Sequence, residues 1–289
     1  MGRMVQPRRP DARGGAHSHD VHGVPASEDS VTAAPPLQYD DQRGVILLTL
    51  DRPHVRNAID ASAMDALAEA AGRLEDHDSL VAVVLTGAGD RAFCSGGDLG
   101  WMRSLGSPAD GEEMSRRMQT TLARLAGLPV PVVAALNGAA VGGGAEIALA
   151  ADLRFAEEHV RLTFKQGRMG LAPGWGGAAR LRRTVGYGRA LDLLATGATV
   201  SAQEAAAMGL VDRVVPTGAA VDEALAWAER VRPLSGRSVG VMKRMLRGAD
   251  DAAAAIDREA GLFREVWASP QHREAVSAFF EKRPATLRS

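Results

Sequence analysis

The chain has 289 residues, with 34 Lys and Arg against 35 Asp and Glu, for a formal charge of −1. Near-neutrality removes the electrostatic case for nucleic acid or an anionic membrane as partner, and no apolar run reaches the roughly 18 residues of a membrane span. The hydrophobic fraction of 46% allows a large core, and an aromatic content of 4% leaves that core to Ala, Val, Leu and Met. The single cysteine, Cys94, rules out an internal disulfide and argues against a Cys-based zinc site; it fits a reducing, cytoplasmic location.

Residues 1–36 mix Arg, Pro, Gly, Ser and His without periodicity and without the apolar stretch of a secretory signal, so they read as a disordered tail. Three histidines in it, His17, His19 and His22, read as an incidental polar tract rather than a metal site. "GVILLTL" (44–50) is a β-rich run. Residues 61–78 carry apolar residues at helical spacing. "LVAVVLTG" (80–87) and "PVVAALNG" (131–138) are near-continuous apolar strands of the kind buried on both faces. A glycine-rich loop spans 87–99, an amphipathic helix 111–128, and a further strand 151–158. Alternating strand and helix predicts an α/β architecture. From about 174 the patterns are mostly helical, at 176–184, 187–196, 201–208, 219–231, 236–248, 251–268 and 270–282. The expected division is the tail, an α/β core over 37–233, and a helical C-terminal portion over 234–289.

"CSGGD" (94–98) and "VGGGAE" (141–146) are the densest glycine clusters of the core. Glycine permits unusual backbone angles and close approach of a ligand to main-chain N–H groups. In open α/β sheets ligands sit beyond the carboxyl ends of strands. Two such loops, each aiming one N–H at a common point, would make an oxyanion hole. Either loop alone reads equally well as a tight turn. Neither matches a phosphate fingerprint, and G-x-S-x-G is absent, which disfavours a serine hydrolase. Cys94 lacks the surroundings of a thiol nucleophile and reads as a small buried residue.

The chain resembles the crotonase superfamily, the enoyl-CoA hydratase/isomerase family, from about residue 38 onward. The likeness rests on five motifs in order: "LTLDRPHVRNAID" (48–60), "RAFCSGGDL" (91–99), "ALNGAAVGGGAEIALAADLRFA" (135–156), "MGLAPGWGGAARLRRTVG" (169–186) and "AFFEKRPATL" (278–287). It implies a β-β-α spiral core, assembly as a homotrimer or dimer of trimers, and an acyl-CoA thioester substrate. Coenzyme A is then part of the substrate, with no separate cofactor and no metal. It implies that the N–H groups of Gly97 and Gly143 bind the thioester carbonyl. It also implies that Glu146, three residues after Gly143, is the catalytic acid/base. Both glycines would act through backbone, so alanine is expected to be tolerated at each and proline not.

Hydratases of the family carry a second catalytic Glu four residues before the Gly of "G-x-x-P-G". That Gly is Gly170, and counting back through "QGRMG" reaches Gln166. An amide orients a water or a polar group but does not exchange a proton at working pH. Three reactions stay open: a hydratase-like lyase using Glu146 alone, a 2-carboxyacyl-CoA decarboxylase with Gln166 near the departing carboxylate, and a double-bond isomerase. "MGLAPGWGGAARL" with Trp175 resembles the ethylmalonyl-CoA decarboxylase branch. For the CoA part, the resemblance points to His54, Val55 and Arg56, to Ser95, Gly96 and Asp98, and to Phe279 and Lys282 on the terminal helix. Trp101 and Met102 are expected to line the acyl pocket. A non-enzymatic alternative, an RNA-binding relative, would need a basic face such as "RLRRTVGYGR" (180–189).

Overall fold

The computed structural model describes residues 35–247 and 269–287. The tail up to residue 34 and the helix expected over 251–268 lie outside the described residues. Strands β1 (Leu37–Gln42) and β2 (Val45–Leu50) form an antiparallel hairpin. Its two turn residues, Arg43 and Gly44, both have positive φ, at 57° and 87°, which suits the right-handed strand twist. Beyond β2 the pairing is parallel, through β3 (Ala82–Gly87), β5 (Val132–Leu136), β7 (Leu153–Glu157) and β10 (Arg213–Val215), in the order β1-β2-β3-β5-β7-β10. A second sheet joins β4 (Ala92–Cys94), β6 (Ala139–Val141), β8 (Arg161–Thr163) and β9 (Thr199–Ser201) in that order.

The helices are α1 (Ala61–Glu75), α2 (Leu99–Met102), α3 (Pro108–Gly127), α4 (Gly143–Ala148), α5 (Gly177–Val185), α6 (Tyr187–Thr196), α7 (Ala202–Ala207), α8 (Ala220–Val231), α9 (Gly236–Leu246) and a terminal helix, Pro270–Phe280. The near-continuous apolar runs of β3 and β5 are explained by helices on both faces. Val83 and Leu85 of β3 join a cluster with Leu67 and Leu74 of α1 and Leu122 of α3. The alternate residues, Ala82 and Val84, join Ala220, Ala224 and Ala228 of α8. Period-two alternation thus divides residues 82–85 of β3 between the two layers. Among the described residues, no helix is long and apolar enough to cross a membrane.

The fold class agrees with the sequence reading, and several short strands correct its detail. β4, β6, β8, β9 and β10 have three residues each, and β9 and β10 fall in a stretch read as helical. Three residues are too few to display a period.

Helix α9 is fastened to the core through one carboxylate. Asp152 Oδ2 meets Lys243 Nζ at 2.6 Å, and Asp152 Oδ1 meets Arg247 at 2.6 Å. The same carboxylate accepts the Val132 N–H at 2.8 Å, and Lys243 also donates to the Val130 carbonyl at 2.7 Å. Burial pulls the Lys243 ammonium below the usual lysine range, and Asp152 pulls it back. Removing one partner of a buried pair leaves an uncompensated charge. Asp152→Ala is therefore expected to cost about 3 kcal/mol, read as a lower urea midpoint. A loss below about 0.5 kcal/mol, the size of an ordinary surface change, would mean the clamp contributes nothing.

Candidate active site

The two glycine loops sit where the two sheets meet. Asn137 follows β5 and holds the crossing: its amide donates to the carbonyls of Gly87 and Gly89 at 2.6 Å each, and its oxygen accepts from Thr86. Asn57 does the same from the other side, donating to the Ala88 and Ala92 carbonyls. The first loop is anchored by Ile59, whose N–H donates to the Gly96 carbonyl and whose carbonyl accepts from Asp98, each at 2.8 Å. Those two bonds bracket Gly97 and leave its own N–H free of any acceptor among the described residues. The N–H of Gly143, the first residue of α4, is likewise without an acceptor among them.

The loops touch. A Cβ on Gly96, whose φ is 93°, would lie 3.0 Å from the Gly143 nitrogen. The nitrogen of the next residue stands about 3 Å from any Cβ position, so the Gly97 and Gly143 nitrogens are within roughly 6 Å of each other. Two donors that each sit about 2.7–3.1 Å from one oxygen can be no farther apart than that.

Glu146 lies on α4 and is 2% exposed. A loop from a distant segment satisfies its carboxylate. Oε2 accepts the backbone N–H groups of Trp175 and Gly177, each at 2.8 Å. Oε1 accepts the Gly174 N–H at 3.3 Å and the Gln166 side-chain Nε2 at 2.8 Å. The loop can present three N–H groups to one carboxylate because Gly176 takes a left-handed φ of 84° and Gly177 has no side chain. A Cβ on Gly177 would lie 2.4 Å from the Glu146 Cγ. Ser115 and Gln119 of α3 hold the loop from behind through the Gly174 carbonyl, at 2.5 and 2.9 Å.

Ser95, Gly96, Gly97, Gly143, Glu146 and Gln166 all line one cleft of about 480 Å³. Most of the rest of its wall is apolar, with Met102, Leu105, Met114 and Trp175 prominent, and Lys165 and Ser115 add polar groups. The indole of Trp175 lies directly on Gly143, where a Cβ would meet the ring at 2.2 Å. Alanine at Gly143 is therefore not tolerated, a correction to the expectation that both glycines accept it. At Gly97 a Cβ would meet only the Met102 Sδ, at 2.5 Å, on a flexible side chain.

The other expected contacts are placed less centrally. His54 and Val55 lie on the 3-10 turn Pro53–Val55, followed by Arg56 at a positive φ of 56°. This segment reaches the first loop through backbone, as the Ser95 N–H donates to the Arg56 carbonyl at 3.0 Å and the Ser95 hydroxyl to that of Val55 at 3.3 Å. Arg56 itself is exposed. The Asp98 carboxylate is occupied as the N-cap of α2, accepting from Gly100 and Trp101, and pairs with Arg52 at 3.3 Å. Of the two residues expected at the acyl pocket, Met102 lines the cleft, whereas Trp101 lines a neighbouring depression with Met64 and Arg117. Lys282 is exposed, and Phe279 stands near the end of the terminal helix. In "RLRRTVGYGR", Arg180 turns inward and donates to the Trp175 carbonyl at 2.8 Å.

Cys94 is fully buried, and burial pushes its thiol up to about 12. Practically no thiolate exists at neutral pH, so the residue is no nucleophile. The native protein is expected to resist a maleimide at pH 8 and to take up one equivalent only once unfolded. Rapid labelling of the folded chain would contradict this placement.

Comparison with known proteins agrees with the geometry. Residues 40–289 match the family described as Enoyl-CoA hydratase/isomerase. The chain is 31% identical to the ethylmalonyl-CoA decarboxylase of Gallus gallus, over 95% of this chain and 94% of that one. It is 33% identical to the short-chain-enoyl-CoA hydratase of Clostridium acetobutylicum, over 83% and 92%. The crystal structure of an enoyl-CoA hydratase from Mycobacterium smegmatis superposes with a TM-score of 0.84 at 33% identity, covering 89% of this chain and all of that one. Two mostly parallel sheets with this likeness to solved enoyl-CoA hydratases make the crotonase fold. This chain belongs to the enoyl-CoA hydratase/isomerase family and is an enzyme of it.

Proposed function

We propose that the protein is a hydratase-like lyase acting on an acyl-CoA thioester, and that the Gly97 and Gly143 amides form its oxyanion hole. The observation that carries this reading is the meeting of two unoccupied N–H donors from separate loops in one cleft with a single buried carboxylate. Fixed donors aimed at a developing oxyanion stabilise it without reorganising during the reaction. The thioester oxygen would sit between the two nitrogens, and the adjacent acyl carbons would lie beside Glu146.

In hydration, a water oxygen bonds to C3 of the conjugated acyl group, and the double-bond electrons move into the thioester as an enolate. Glu146 takes one proton from that water. As the enolate collapses, C2 takes a proton back from Glu146. No second carboxylate lines the cleft, so one group serves both transfers. The apolar wall of methionines, Leu105 and Trp175 suits the acyl chain.

Decarboxylation is the second reading, favoured by the near full-length likeness to an ethylmalonyl-CoA decarboxylase. There the bond from C2 to the carboxylate breaks, its electrons form the same enolate, and C2 is protonated from the Glu146 side. A panel of thioesters read by mass spectrometry separates the two. Gain of one water on crotonyl-CoA supports hydration, and loss of CO₂ from a malonyl-type thioester supports decarboxylation. Turnover of neither would remove both.

A cytoplasmic location and a homotrimer or dimer of trimers complete the proposal. Exposed apolar side chains such as Met242 and Leu246 of α9 and Tyr187 and Leu191 of α6 support assembly.

A further inference from the structure

Lys165 is the one cation among the described residues that line the cleft. Its ammonium makes no hydrogen bond or ion pair among them. Glu146, the one carboxylate in the same wall, is already committed, since its two oxygens accept from Gln166, Gly174, Trp175 and Gly177. Lys165 is exposed, so its head group is hydrated at the cleft wall. A neutral alkyl chain laid against it would strip that water and put nothing in its place. A carboxylate would replace the water with a charge-assisted hydrogen bond.

Strand order decides which part of a thioester meets this cation. β4, β6 and β8 run parallel and side by side, and the chain leaves each at the same end of the sheet. Ser95–Gly97 follow β4, Gly142 and Gly143 follow β6, and Lys165 comes two residues after β8. The Gly142 N–H donates to the Thr163 carbonyl at 2.8 Å, which ties the second loop to the end of β8. Neighbouring strands stand about 4.8 Å apart, so the end of β8 lies about 10 Å from that of β4, with the second loop between them. Residues 54–56, expected on the CoA side, hold the first loop through the Arg56 carbonyl. Lys165 is therefore across the second loop from the CoA side. It precedes Gln166, whose amide donates to Glu146. An acyl chain that passes Glu146 runs toward it.

Resting on the acyl-CoA reading, we infer that Lys165 is a specificity-determining residue that binds a carboxylate at the far end of the acyl group, so that the preferred substrates are CoA monothioesters of dicarboxylic acids. Methionines, Leu105 and Trp175 hold the carbons between the two ends. Selection comes from a difference: the carboxylated chain gains an ion pair, and its alkyl counterpart meets a cation that it can only desolvate.

The test is a set of dissociation constants measured by calorimetry on the full chain with glutaryl-CoA, pentanoyl-CoA and free CoA. The two thioesters share a five-carbon chain and differ at its end. Neither has a double bond or a carboxylate on C2, so neither reacts by hydration or decarboxylation. Wild type is expected to bind glutaryl-CoA about tenfold more tightly than pentanoyl-CoA, a factor between that of an exposed ion pair and that of a fully formed charged hydrogen bond. Lys165→Met keeps the stem and removes the charge, and it should bring the two thioesters within about twofold by weakening glutaryl-CoA alone. Lys165→Arg keeps a cation and should retain most of the preference. Equal affinities in wild type, or a preference that survives in Lys165→Met, overturn the inference. So does a Lys165→Met variant that binds all three ligands more weakly, which would put the cation on a phosphate of CoA. Each of these leaves the acyl-CoA reading intact, whereas failure of every ligand to bind overturns both.

Discussion

Glu146→Gln is expected to lower turnover at least a hundredfold, because a positioned acid/base group contributes about 10²–10⁴ in rate. The structure adds a second consequence. The two carboxylate oxygens accept from four donors, three of them backbone N–H groups of the Gly174–Gly177 loop. An amide has one oxygen, so its NH₂ must face either the N–H groups of Trp175 and Gly177 or, with the Gln166 amide flipped, that of Gly174. The variant therefore also loses about 1–3 kcal/mol of stability, visible as a lower urea midpoint. The two effects are separable. Butyryl-CoA affinity should change little, because the proposed grip on the thioester oxygen comes from Gly97 and Gly143 rather than from Glu146. A variant that unfolds earlier but turns over at the wild-type rate would show Glu146 to be a loop anchor and remove it from the chemistry.

Gly143→Ala is expected to damage turnover severely. The added carbon would fall 2.2 Å from the ring of Trp175, which is 4% exposed. Either the indole moves or the first turn of α4 does, and the second outcome swings one donor off the oxyanion position. Losing such a donor costs about 10²–10³ in turnover. Gly97→Ala meets only the end of Met102 and should cost less than about tenfold, since a thioether side chain adapts to an added methyl. Trimming the indole tests the cause. Trp175→Leu keeps the backbone N–H that holds Glu146, so Gly143→Ala combined with Trp175→Leu should recover activity relative to Gly143→Ala alone. A Gly97 variant that is worse than the Gly143 variant, or a double variant with no recovery, would contradict this account of the roof.

The long apolar runs made β3 and β5 readable from the sequence, and the spacing of Leu67, Ala71 and Leu74 did the same for α1, because each is long enough to show its period. The second sheet was hidden, since its strands have three residues each and their existence depends on pairing with distant neighbours rather than on local pattern. The site divides the same way. Two glycine clusters and the likeness to family motifs singled out Gly97, Gly143 and Glu146, and the structure brings the three into one cleft. The grip on Glu146 left no comparable mark, since it consists of main-chain N–H groups from 174, 175 and 177, and any residue but proline supplies one. The available signal was the glycine density of "PGWGG", where two of the three glycines are required by a positive φ or by contact with Glu146. Trp175 stood out in the sequence only as a likeness to one branch of the family. Its position over Gly143 is a three-dimensional fact, and it reverses the expected tolerance for alanine there.

The measurement closest to the heart of the account is a crystal structure of the protein bound to butyryl-CoA, which carries the thioester but cannot react. The account predicts that the thioester oxygen lies about 2.7–3.2 Å from both the Gly97 and Gly143 nitrogens, with the acyl carbons against Glu146. An oxygen held by only one of those nitrogens, or a thioester bound outside the cleft, would contradict it.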